Sequence, residues 1–101
     1  MEQKAWKEVV ISIDVRADHN SHSFENRYPR ESLEQGDIIS DKGLDGREAF
    51  SPVIVKNVDA QSLTITYGIY DHTLNRDKQW IKLDTSGRDY TTFELYVSIE
   101  F

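Results

Sequence analysis

The chain has 101 residues, 38% hydrophobic and 30% charged, with a formal charge of −6 from 12 basic and 18 acidic side chains. That length fits one domain, residues 1–101, with one modest core and little apolar surface to line a deep dry pocket. Nucleic-acid affinity rests on Lys and Arg contacts to phosphate, so an acidic chain with no basic cluster is not expected to bind nucleic acid directly. The chain has no cysteine, which removes disulfides and thiolate metal sites and fits a reducing compartment. MEQKAWKEVV shows no apolar leader, and no run approaches the ~20 apolar residues that cross a bilayer. A cytoplasmic protein without membrane contact is the expectation.

The first ordered element is expected at Val9, Ile11, Ile13 and Val15, which alternate with Val10, Ser12, Asp14 and Arg16. Period two over eight residues predicts a strand with one buried face and one wet face. Residues 17–35 show no sustained period, are punctuated by Asn, Ser and Pro29, and read as a long loop. Glu31–Gln35 has the composition of one helical turn anchored by Leu33. Gly36-Asp37 predicts a turn into a short strand at Ile38–Ser40, and 41–50 reads as a second loop jointed at Gly43 and Gly46. Ser51–Tyr70 is the clearest local signal: Val53–Val55 and Leu63–Tyr67 flank Asn57–Ser62, whose polar side chains favour a turn, so a β-hairpin is predicted.

Gly68 interrupts the second hairpin strand and predicts a bulge or bend. Residues 71–79 read as a polar loop, Trp80–Leu83 as a short strand, and 84–89 as a turn with Gly87 at positive φ. Phe93, Leu95, Val97, Ile99 and Phe101 then alternate with polar residues and predict a long terminal strand. The expected fold is all-β: a small single-domain antiparallel barrel or strongly curled sandwich of about six strands. Pairing of the first and last strands would close the sheet.

Three groups of side chains invite a chemical reading. His19, His22 and Glu25 have the ligand types of a divalent metal site, but on a loop their spacing fixes no common face, so no metal or other cofactor is expected. Asp71, Thr73, Asn75 and Asp77 copy the first half of a calcium loop; Arg76 stands where glycine is needed, and the closing acid is missing. No nucleophile elbow or glycine-rich phosphate loop occurs, so no enzymatic activity is expected. The acids are concentrated: Glu31, Glu34, Asp37, Asp41, Asp45 and Glu48 face only Lys42 and Arg47, a net of −4. With Tyr28 beside them, they predict a patch for a basic protein partner, as in an inhibitor or immunity-type protein. The alternative is a module that binds a carbohydrate or small metabolite through exposed Tyr70, Trp80 and Tyr96. Trp80 shares its parity with Lys82, and Tyr96 alternates out of phase with the apolar positions of the last strand. Oligomeric state has no signal in the sequence.

Overall fold

The computed structural model describes residues 4–40 and 50–101. Eight strands form two antiparallel four-stranded sheets packed face to face. β1 (Glu8–Ala17), β2 (Asn20–Pro29), β7 (Trp80–Arg88) and β8 (Thr91–Glu100) make the first sheet, in the order β2-β1-β8-β7. β3 (Ile38–Ser40), β4 (Val53–Val58), β5 (Leu63–Tyr67) and β6 (Tyr70–Leu74) make the second, in chain order. The domain is therefore all-β, a curled sandwich, and not a closed barrel.

The two alternating runs near the ends of the chain do pair, Val9 with Ile99 through Arg16 with Thr92. They lie in the middle of the first sheet, however, flanked by β2 and β7, so their pairing leaves the sheet open. Directly opposed residues share a face. Val9, Ile11 and Ile13 therefore point inward with Leu95, Val97 and Ile99, all nearly inaccessible. Val53, Val55, Leu63, Ile65 and Leu74 meet them from the second sheet.

The strand count is eight, where about six were expected, because two segments read as loops are strands. Residues 17–35 form β2 and a short 3-10 turn at Arg30–Ser32, reached through the two-residue turn Asp18-His19. Edge strand β2 is exposed along most of its length. Only Asn26 and Tyr28 are partly covered, so selection for alternating apolar residues is weak, and so is the period-two signal. β6 escaped for the same reason: of Tyr70–Leu74 only Leu74 is buried.

The turn chemistry also differs from expectation. Gly68, at φ 64°, opens the two-residue turn between β5 and β6 and makes no bulge. Gly87 lies within β7, and the reversal comes later, at Asp89 and Tyr90, whose φ values are 50° and 64°. Positive φ at both central residues matches the right-handed twist of the flanking strands, which is why a hairpin accepts it even without glycine. The β4–β5 hairpin forms as predicted, with a register shift near Lys56.

Trp6 fastens the N-terminal segment to the second sheet. Its side chain is fully buried, and its Nε1 donates to the carbonyls of Asp59 (2.7 Å) and Ser62 (3.1 Å). The Tyr67 hydroxyl donates to Asp84 Oδ2 at 2.8 Å, a second tie between the sheets. Desolvation, reinforced by the Asp84 carboxylate, pushes the Tyr67 phenol up to about 12.

Candidate functional site

The outward face of the first sheet carries polar side chains around a small apolar group, with Val10 buried and Ser98 between it and Trp80. Pairing sets Ser12 beside Tyr96 and Glu25, Asp14 beside Glu94 and Ser23, and Lys82 beside Tyr96. Trp80 is 62% exposed, and its ring centroid lies 6.0 Å from that of Tyr96, tilted by 49°. Glu94 anchors the neighbourhood. It accepts from the Tyr96 hydroxyl (3.1 Å) and from Lys82 Nζ (3.3 Å), with Arg16 Nε at 3.6 Å. Desolvation pushes its carboxyl up, but the bonds from Lys82 and Tyr96 and the two nearby cations outweigh that and hold it below the usual range. Tyr96 moves upward, through desolvation and its bond to Glu94.

The structure therefore groups Trp80 and Tyr96 and separates Tyr70 from them. Tyr70 is 67% exposed but belongs to β6, paired with Tyr67 at the end of the other sheet. The metal candidates are also divided. His19 lies in the β1–β2 turn, His22 opposes inward-facing Val15, and Glu25 opposes outward-facing Ser12. Residues three apart on a strand point to opposite sides, whereas a helix would have put His22 and Glu25 together. Among the described residues no group of three potential ligands converges. Asp71 of the calcium-like run is committed elsewhere: it takes hydrogen bonds from Lys56 and Thr66, which lower its pKa.

Glu31 and Glu34 are exposed on the segment between β2 and β3, and Tyr28 is half-buried against the core at the end of β2. Asp37 has a structural task, its carboxylate accepting from the Glu34 amide at 2.9 Å. Its backbone carbonyl accepts from Val55 N–H, tying the segment to β4. Asp41, Asp45 and Glu48 lie outside the described residues.

Most acids on the sheet faces are matched by cations, while Asp14 and Asp84 take hydrogen bonds from the hydroxyls of Ser23 and Tyr67. Arg27 bonds Glu8 (2.6 Å), Glu25 (3.0 Å) and Glu100 (3.2 Å), which raise its pKa, the Glu8 bond foremost. Arg16 and Lys82 serve Glu94, and Lys56 serves Asp71. Glu31, Glu34 and Asp37 form no ion pair among the described residues. The Arg27, Glu94 and Arg16 clusters escape a sequence reading because cross-strand neighbours are distant in the chain. The polar phase of β1 and β8 carries the partial signal that would have found Glu8, Glu94 and Glu100. No protein-family model, curated protein or solved structure matches this chain.

Proposed function

We infer that the chain is a non-catalytic protein-binding module that presents the acidic segment after β2 to a basic surface on its target, in the manner of an inhibitor or immunity-type protein. The observation that carries this reading is the contrast in neutralisation. Most carboxylates on the two sheets have cationic partners within the domain, whereas exposed Glu31 and Glu34 form no ion pair among the described residues, which supports a role for their charge in meeting another molecule. Unmatched surface charge steers association and selects against partners of like sign.

The test is charge reversal at these two positions. Asp37 is left alone because its carboxylate holds the turn. Glu31→Lys with Glu34→Lys should keep the wild-type melting profile while a basic protein captured by the wild-type domain from the source cells is lost. Equal capture by both forms would reject the reading. A second reading rests on the Trp80–Tyr96 pair, since two rings on an open face, with the Glu94 and Lys82 polar groups beside them, suit stacking on a sugar ring. Saturable quenching of tryptophan fluorescence by an oligosaccharide, lost in Trp80→Ala, would favour it.

A further inference from the structure

We propose that two copies of this chain pair antiparallel through the free edge of β2, about a two-fold axis at Asn26, joining their first sheets into one continuous eight-stranded sheet. Among the described residues β2 pairs only with β1, in ten consecutive antiparallel pairs without a bulge. The other edges are blunted: β7 has a register shift between Lys82 and Asp84, β3 has three residues, and β6 has five. A long straight edge is a template for another strand.

The register follows from the hairpin. A two-residue turn makes Ala17 and Asn20 a hydrogen-bonded pair, and alternation then directs His22, Phe24, Asn26 and Tyr28 toward β1. The bond from Arg30 N to Lys7 O keeps the same phase. The amides and carbonyls of Ser21, Ser23, Glu25 and Arg27, and the carbonyl of Pro29, consequently face away from β1.

Two copies joined through those groups can take several registers, and side-chain charge selects one. Centring on Asn26 sets Glu25 of each copy opposite Arg27 of the other, so the ion pairs that Arg27 forms with Glu8, Glu25 and Glu100 within each chain extend across the outward face. Centring on Glu25 would instead oppose the two glutamates, a destabilising arrangement. The chosen register also puts Phe24, 41% exposed in the single chain, beside the second copy's Tyr28. These are closely spaced, non-hydrogen-bonded positions, where side chains touch best. Pro29 falls at the limit of the overlap, where its carbonyl can still accept from Ser23. Asn26 meets its own copy on the axis, at a Cα separation of ~4.5 Å.

That separation suits a disulfide, and the chain has no cysteine of its own. Asn26→Cys should therefore oxidise to a covalent dimer, while Asn20→Cys, on the same face but beyond the overlap, stays largely monomeric. Sedimentation across a concentration series should show reversible dimerisation of the wild type. Glu25→Pro should abolish it without unfolding the domain, because the amide it removes faces away from β1. Its melting curve and circular dichroism check that. Wild type that stays monomeric throughout, a dimer that survives Glu25→Pro, or equal crosslinking at positions 20 and 26 would each overturn the proposal.

Discussion

Replacing Trp6 with phenylalanine tests whether one indole fixes the N-terminal segment against the β4–β5 turn. Trp6 is wholly inaccessible, and its single N–H reaches two carbonyls. Ser62 O retains the bond from Asp59 N at 3.0 Å, so Asp59 O is the acceptor that loses most. Loss of the donor costs about 1 kcal/mol, and a stranded carbonyl adds about 1 kcal/mol. The missing ring volume contributes another ~1 kcal/mol, since full truncation of a buried Trp to alanine costs about 3–5 kcal/mol. The sum, about 3 kcal/mol, is a large share of the ~5–15 kcal/mol that holds a domain of this kind. Urea unfolding followed by circular dichroism should show that loss at unchanged slope, and thermal melting a fall of roughly 15 °C. A change within about 0.5 kcal/mol, the range of ordinary surface substitutions, would refute the idea that Trp6 is a clamp.

Three further outcomes follow from the same structure. Iodide should quench only part of the tryptophan emission, because Trp80 is exposed and Trp6 is not, and Trp80→Phe should leave a largely unquenchable residue. In an absorbance titration of the five tyrosines, the step near pH 12 should vanish in Tyr67→Phe. A phenol raised in the folded state stabilises fully below its ordinary value near 10 and loses that contribution as pH climbs toward 12, so Tyr67→Phe should also flatten the alkaline fall in stability. Tyr90, 91% exposed at φ 64°, buries nothing and sits where glycine is favoured, so Tyr90→Gly should raise stability by about 0.5–1 kcal/mol in urea unfolding; an unchanged or lower midpoint would count against strain at that turn.

The legible parts of the sequence are those where burial selects one face. Val9, Ile11 and Ile13, and Phe93 through Ile99, announce their strands because the core requires an apolar residue at every second position. β2 was hidden because it is an edge whose inward positions, Asn20, His22 and Asn26, lie where the second sheet does not bury them. The exposed setting of Trp80 was readable from its parity with Lys82. The burial of Trp6 was not, since a lone aromatic before the first strand has no phase to compare with. The charge matching around Arg27 depends on residues 19 and 73 positions away, a separation that only the register reveals.

The edge and the acidic segment are continuous in the chain, and this links the two proposals. β2 ends at Pro29, and the 3-10 turn that begins at Arg30 carries Glu31 straight away from it. Pairing about Asn26 would set the two copies of Pro29 six residue steps apart, about 20 Å at the usual strand rise, with an acidic segment beyond each. A basic target that engages both copies would gain a second contact at high effective concentration, so individually weak charge pairs add up to useful affinity. The variants then separate cause from consequence. Glu25→Pro should weaken capture of such a target by removing bivalency while each copy keeps its contact. Glu31→Lys with Glu34→Lys should remove the contact while the sedimentation profile stays dimeric. Loss of dimerisation in that double variant would mean that the acids belong to the interface between copies and not to a target surface.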